Sequence, residues 1–308
     1  ENTLAALHGI DRSALTEPEK LTWDVLEDAL QEEMESYDWY FYEEPLSPTL
    51  GVQAQLPILL AEYPFRTQQD IADYLHLLQD LPRYFSDLIA LEQEKSRQGV
   101  FQNDLAVDGI IRQCSAFLAD ADTPESHLLH TVFQNKLQAS SLFSEAERNL
   151  CLQTHEKLLT SCVFPAYRSL SDALSSLRGK GTQNAGGLSR QEDGLSYYAY
   201  LLRSRVGVDA SPEELTRLLT QQLADQCAEM QIILDQNPSL SLSEQALVLP
   251  FSTPEEMLAD LQNAVSEDFP VLSGIAYEVK TVDDSLKDFL SPAFYLTPPA
   301  DINSPNSI

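Results

Sequence analysis

Residues 211–234 read SPEELTRLLTQQLADQCAEMQIIL, and this stretch indicates the fold more clearly than any other. Ser211 is a favourable N-cap, Pro212 loses no hydrogen bond at the first helical position, and Glu214 can complete a capping box. After this start signal, apolar residues recur every three or four positions, which is the period of an amphipathic helix. The stretch therefore predicts a long helix.

The same combination of a start signal and a helical apolar period recurs along the chain. TPEE at 253–256 repeats the signal, and 123–125 and 144–147 carry weaker forms. The predicted helices lie near 17–43, 68–80, 82–97, 104–119, 124–138, 144–178, 190–205, 212–235 and 254–266.

Pro165 is expected to kink or break the longest of these helices, because proline lacks the backbone donor and clashes with the preceding turn. Extended patterns occur only at 275–279 and 293–296, and both are short. The predicted fold class is all-α, an irregular array of many helices with at most one or two short strands near the C-terminus.

Glycines and an asparagine cluster at 179–187 (GKGTQNAGG), between two helical runs. We predict an N-terminal helical subdomain over 1–178, a Gly-rich loop over 179–189, and a second helical subdomain over 190–308 that ends in an extended tail. The cluster is either a loop over a cleft or an exposed linker.

The charge balance excludes several classes of function. The 308 residues include 19 Lys and Arg against 48 Asp and Glu, a net charge of −29, so a nucleic acid partner is not expected. No apolar run reaches the roughly 20 residues that a membrane-spanning helix needs. With 43% hydrophobic residues, the chain can bury a sizeable core.

The sequence contains no complete catalytic motif. His155-Glu156 lacks the second histidine of a zinc peptidase motif, so we interpret His155 as a helix-surface residue. His127 and His130 are three residues apart on one helical face, which we expect to be partly exposed rather than metal-binding. No residue is therefore predicted as catalytic or as a metal ligand, and no cofactor is expected in this chain.

The cysteines are too few and too widely spaced for a zinc ribbon or a disulfide scaffold. We predict that they are buried free thiols in apolar helical surroundings. They are Cys114, Cys151, Cys162 and Cys227.

Two aromatic clusters have two interpretations. The first is YDWYFY at 37–42, and the second consists of Tyr197, Tyr198 and Tyr200, just before Arg203. Aromatic rings with polar ends are common both in cores and at binding surfaces, so the clusters either pack helices together or line a cleft. Arg203 needs an anionic partner, either a structural carboxylate or the carboxylate of a substrate.

Three stretches carry a resemblance to a known family. They are LSPTLGVQAQLPILLAEYPFRTQQDIADYLHLLQDLPRYF (46–85), GLSYYAYLLRSRVGVDASPEEL (194–215) and SPAFYLTPPADINSPNSI (291–308). In order and approximate spacing they resemble the bacterial family called domain of unknown function 885, across almost the whole chain.

The resemblance implies a helical zinc metallopeptidase of the gluzincin type, similar in shape to carboxypeptidase Taq and angiotensin-converting enzyme. In that family the zinc motif follows the equivalent of the third stretch, and this sequence stops at Ile308, before it. The resemblance therefore implies the N-terminal half of a longer enzyme, inactive alone, with zinc expected in the full-length protein. It also implies substrate-cleft residues in this half, for which we nominate Tyr197, Tyr198, Arg203 and Tyr295.

Two other functional classes remain open. Besides a wall of a peptidase cleft, which would bind peptide substrate only in the full-length protein, the chain could be a non-catalytic acidic helical module that binds a basic partner. A scaffold that self-associates through the exposed half-cleft is a third alternative. Because such families are often exported and the chain begins at Glu1 rather than methionine, we expect an extracytoplasmic or cell-envelope location.

Overall fold

The computed structural model describes residues 2–48, 50–181, 187–238, 250–265 and 268–270, together with Val279 and Thr281. The regular structure of these residues is helical, which confirms the all-α prediction. The α-helices are α1 (Asn2–His8), α2 (Glu17–Ser36), α3 (Val52–Glu62), α4 (Gln68–Gln98), α5 (Asp104–Phe117), α6 (Leu128–Ala139), α7 (Glu145–Leu158), α8 (Phe164–Leu177), α9 (Gly194–Leu201), α10 (Pro212–Gln236) and α11 (Pro254–Val265). The predicted extended segments 275–279 and 293–296 lie outside the described residues, apart from Val279, which has no regular structure.

The chain divides into two compact units, and the second begins at Ser211. In the first unit α4 is the central helix, and it packs against α8 and α7 while α8 also packs against α5. The buried residues of α4 follow one another at alternating intervals of three and four, so they form a single stripe along the helix. They are Ile71, Tyr74, Leu78, Leu81, Phe85, Leu88, Glu92 and Lys95.

Two prolines account for differences between the predicted and observed helices. We predicted separate helices over 68–80 and 82–97, but α4 continues through Pro82. The prediction was wrong because buried residues on both sides of Pro82 belong to one hydrophobic core, whose packing outweighs the lost hydrogen bond. The helix α3, which contains Pro57, was not predicted, since its apolar sequence has no polar face to reveal a period.

Pro165 interrupts the long helix predicted over 144–178, as expected. A π-helical turn over Leu159–Val163 separates α7 from α8, and Pro165 lies in the first turn of α8. The wider turn accommodates a residue that cannot donate to the preceding turn.

The second unit contains α10 and α11. Ser211 caps α10 by accepting from the Glu214 amide, and the Glu214 carboxylate accepts from the Ser211 amide, as the sequence predicts. No residue of α10 is buried. The predicted subdomain boundary at 179–189 stays a prediction, since residues 182–186 lie outside the described part of the chain.

Candidate functional site

The aromatic segment YDWYFY continues from the C-terminus of α2. At Tyr37 the backbone tightens into a 3-10 helix that ends at Tyr42. Such a helix has three residues per turn, so residues i and i+3 lie directly above one another. Trp39 and Tyr42 therefore form one row of side chains, and Tyr37 and Tyr40 form another.

The row of Trp39 and Tyr42 meets the second aromatic motif of the sequence. The ring centroids of Trp39 and Tyr197 are 5.5 Å apart, those of Trp39 and Tyr200 are 6.1 Å apart, and those of Tyr42 and Tyr197 are 5.0 Å apart. The Tyr42 hydroxyl also donates to the backbone carbonyl of Glu192, just before α9. We call these four rings, Trp39, Tyr42, Tyr197 and Tyr200, the aromatic cluster. It joins two motifs that are about 155 residues apart in the sequence, roughly the number of residues in a typical domain.

The residues nominated from the sequence lie at different depths around this cluster. Tyr197 is buried within it, whereas Tyr198 is 40% exposed at the surface of α9. Arg203 forms an ion pair with Glu35 near the end of α2, so its partner in this structure is a carboxylate of the same chain. Tyr295 lies outside the described residues.

A buried ion pair on α4 lies next to the same segment. Lys95 donates to the backbone carbonyl of Glu43 at 2.6 Å, and its Nζ lies 3.9 Å from Glu92 Oε1. Both side chains are fully buried, and neither Glu92 oxygen has a hydrogen-bond partner among the described residues. Lys95 thus ties the chain that follows the aromatic segment to α4.

Burial and neighbouring charges shift the pKa values of these groups. Burial raises the pKa of Glu92 to about 6; Lys95 opposes this rise and Glu44 adds to it. The pKa of Tyr197 is raised, first by burial and then by Glu43 and Glu44. Because Glu44 acts on both groups, Glu92 and the aromatic cluster belong to one electrostatic environment.

Glu92 and Lys95 were not predicted from the sequence, although a signal was present. Both continue the three-and-four spacing of the buried apolar stripe of α4, which places them on its packed face. A charged residue on a buried face requires a partner or a function.

The three central histidines are buried, contrary to both predictions about their exposure. His155 packs against the rings of Phe133 and Tyr74, with centroids 4.2 and 5.7 Å away, and Tyr74 Oη lies 3.1 Å from His155 Nε2. His127 caps α6, its Nδ1 accepting from the Leu129 amide, which is why α6 begins later than the predicted 124. The predictions were wrong because these histidines stand among polar residues in the sequence, which indicated an exposed helix face.

These histidines do not form a metal site in the described part of the chain. There, no three His, Cys, Asp or Glu side chains are grouped closely enough to hold a metal ion. The residues present therefore do not fit a zinc ion by themselves, and the zinc expected for the full-length protein stays a prediction.

The free thiols are less buried than the sequence suggested. Cys114 is buried, as predicted, but Cys151 and Cys162 are half-buried and Cys227 is exposed on α10. The prediction was wrong for Cys227 because the apolar face of α10 is not covered within the described residues.

A groove of about 440 Å³ lies between α3 and α4. Its walls are mainly leucines, and it also presents Asp80, Arg83 and Asp87 from α4. None of these three charged groups has an ion-pair partner among the described residues. The groove contains none of the nominated cleft residues, so it is separate from the aromatic cluster.

Comparisons with known proteins agree with this helical architecture. The fold is similar to that of "the putative lipoprotein from Colwellia psychrerythraea", with a TM-score of 0.64 and 19% sequence identity. The alignment covers 72% of this chain and 40% of that protein, so the chain spans less than half the length of its structural relative. No curated protein matches the sequence.

Two further findings concern membrane insertion and family. Among the described residues, no helix combines the length and the apolar character needed to cross a membrane. The sequence profile of a bacterial family of unknown function, DUF885, matches residues 1–308. The chain therefore belongs to the DUF885 family.

Proposed function

We propose that this chain is the helical part of a zinc-dependent peptidase and forms one wall of its substrate cleft. The observation that carries the proposal is the convergence of two distant aromatic motifs into one cluster with tyrosines exposed beside it. Tyrosines of this kind bind peptides well because each offers an apolar ring and a hydroxyl at little entropic cost. The chain spans only part of its structural relative, so the activity is proposed for a longer protein.

The residues of this chain would bind and position substrate rather than perform bond cleavage. In this proposal the exposed Tyr198 hydroxyl donates to a peptide carbonyl, and Arg203 anchors the wall to α2 through Glu35. Zinc would supply Lewis-acid activation of the scissile carbonyl and of water. No ligand for zinc is assigned to the described residues.

The test measures zinc content and peptide hydrolysis in the natural full-length protein and in this chain. We expect about one zinc per molecule and hydrolysis in the former, and neither in the latter. In the full-length protein, Tyr198→Ala should raise KM with little change in kcat, because it removes binding shared by substrate and transition state. Leu150→Ala, at an exposed residue of α7 that belongs neither to the aromatic cluster nor to the groove, is the control. Absence of both zinc and hydrolysis from the full-length protein would refute the proposal.

A non-catalytic acidic module is the second candidate, and the groove between α3 and α4 favours it. An apolar groove edged by Asp80 and Asp87 suits an amphipathic helix with basic flanks. A full-length protein without zinc, together with a groove variant such as Leu59→Glu that loses a defined basic partner, would support the module. Light scattering of the chain would detect self-association, the third alternative.

We also propose an extracytoplasmic location. Its support is the fold shared with a protein named as a lipoprotein. Fractionation of the native host, with immunodetection of the protein in periplasmic and membrane fractions, tests this location.

A further inference from the structure

Tyr37 and Tyr40 form an aromatic surface beside the partly buried aromatic cluster. Their side chains are 70% and 51% exposed, while Trp39 and Tyr42 of the same 3-10 helix turn inward. Because residues i and i+3 coincide in a 3-10 helix, Tyr37 and Tyr40 project from the same side of it, and the Tyr40 ring packs edge-on against Phe41, with 5.2 Å between the centroids. Two large aromatic side chains on one side of a short helical turn are thus open to solvent.

The charged residues near this pair in the sequence are all negative. The sequence has no Lys, Arg or His between Lys20 and Arg66, whereas the same interval contains ten Asp and Glu. Asp38 lies between the two tyrosines, and Glu43 and Glu44 follow directly. The structure brings two arginines near the aromatic cluster: Arg203, which is paired with Glu35, and Arg205, whose charge acts on Tyr197.

The combination of π faces and carboxylates favours a cation as the ligand. The face of an aromatic ring carries a negative quadrupole that attracts ammonium and guanidinium groups. An anionic ligand would meet repulsion from the carboxylates, and a purely apolar ligand would gain nothing from them. Lysine and arginine side chains meet both requirements, since their aliphatic stems pack on rings while their charged ends reach carboxylates.

We propose that Tyr37 and Tyr40 bind the lysine or arginine side chains of a peptide, so that this wall selects basic peptide segments. The inference rests on the proposed function and names the class of its substrate. Tyr37 and Tyr40 supply the rings, and Asp38, Glu43 and Glu44 supply the negative field.

The experiment measures equilibrium binding by fluorescence anisotropy with a matched pair of probes. One probe is a fluorescein-labelled peptide of alternating glycine and lysine, and the other is the same peptide with every lysine acetylated. Acetylation removes the charge and keeps the length, so we expect the unmodified peptide to bind about tenfold or more tightly.

Ring substitutions then separate a specific site from general attraction to an acidic protein. The double variant Tyr37→Leu/Tyr40→Leu should weaken binding of the lysine peptide about fivefold to tenfold, because it removes the π faces. Tyr37→Phe/Tyr40→Phe keeps the rings and should bind within about twofold of the parent protein. Phe269→Leu, at an aromatic residue of the second unit that is 65% exposed, should change nothing.

Three results would overturn the inference. They are equal binding of the acetylated peptide, unchanged binding by the leucine variant, and equal losses in the leucine and phenylalanine variants. Circular dichroism of each variant verifies the fold, which exposed positions should preserve. The assay involves no hydrolysis, so its failure would leave the proposed peptidase wall to be decided by the zinc and hydrolysis measurements.

Discussion

Glu92 is a buried carboxyl group with little compensation for its charge. Its side chain is fully buried, its oxygens accept no hydrogen bond there, and Lys95 Nζ is 3.9 Å away while donating to a different acceptor. A buried carboxylate with so little compensation favours its protonated form. The ionised carboxylate therefore destabilises the region that supports the aromatic segment.

This imbalance predicts how stability depends on pH. Folding raises the pKa of Glu92 from 4.5 to about 6, so its contribution to stability is complete below pH 4.5 and is lost as the pH rises through 6. The variant Glu92→Gln does not have this loss. The difference in free energy of unfolding between the variant and the parent protein should therefore increase by about 2 kcal/mol, in favour of the variant, from about pH 4.5 to about pH 7. Urea unfolding at the two pH values measures the change.

Glu94→Gln provides the control for this prediction. Hydrogen bonds from Gln98 and Arg97 lower the pKa of Glu94, so the effect of its removal has the opposite sign. The same pH trend in both variants would show that Glu92 is not the responsible group.

His155 predicts sensitivity to acid. Burial, followed by His130 and His127, lowers its pKa from 6.5 to about 3. The neutral ring therefore stabilises the fold above pH 6.5, and this contribution is lost as the pH falls through 3. The loss in free energy of unfolding is at most about 5 kcal/mol. His155→Phe keeps a ring that can stack on Phe133 and should lose less stability between about pH 7 and about pH 4.

The control for the acid prediction is His8→Gln, since His8 is exposed and pairs with Glu27 at the surface. Urea unfolding of all three proteins at both pH values separates the histidine effect from the protonation of carboxylates, which they share. An acid loss in His155→Phe as large as in the parent protein would contradict the assignment.

At the scale of one element, α4 tolerates a proline in its interior at a measurable cost. Pro82 cannot donate to the carbonyl of Leu78, whose side chain is buried. Replacement by alanine restores that hydrogen bond and removes the ring clash, so Pro82→Ala should stabilise the protein by roughly 1–3 kcal/mol.

Pro18→Ala is the matched control for Pro82→Ala, because Pro18 lies in the first turn of α2, where no intrahelical donor is required. Both substitutions increase the conformational entropy of the unfolded chain to the same extent. The difference between their effects on stability therefore gives the cost of a proline inside the helix. Thermal unfolding of the two variants gives this difference. Equal shifts in Tm would show that α4 has adapted fully to its proline.

Local chemistry determined which elements could be predicted from the sequence. The capping residues Ser144 and Ser211 marked helix starts correctly, because a cap and the residue it bonds are only three positions apart. The continuity of α4 could not be read locally, since it depends on packing against α8. The contact between Trp39 and Tyr197 likewise depends on tertiary structure, although both motifs were recognised in the sequence.

Across the whole molecule, negative charge is both abundant and unevenly distributed. With 19 Lys and Arg for 48 Asp and Glu, at least 29 carboxylates have no cationic side chain of this chain to pair with. Apart from the buried pair of Lys95 and Glu92, the ion pairs of the described residues, such as Arg203–Glu35 and Arg12–Asp24, lie at the surface and contribute little individually. Repulsion among the remaining carboxylates should therefore outweigh attraction in the folded state.

This balance predicts that salt stabilises the protein. Raising NaCl from about 0.02 M to about 0.3 M shortens the screening length below typical spacings between surface charges and should raise the free energy of unfolding by on the order of 1 kcal/mol. Urea unfolding in NaCl and in KCl measures the effect, and agreement between the two salts assigns it to screening rather than to one bound cation. If salt instead lowered the stability, attraction between opposite charges would dominate over repulsion. The surface ion pairs, including the one that holds Arg203 beside the exposed tyrosines, would then contribute more to stability than their exposure implies.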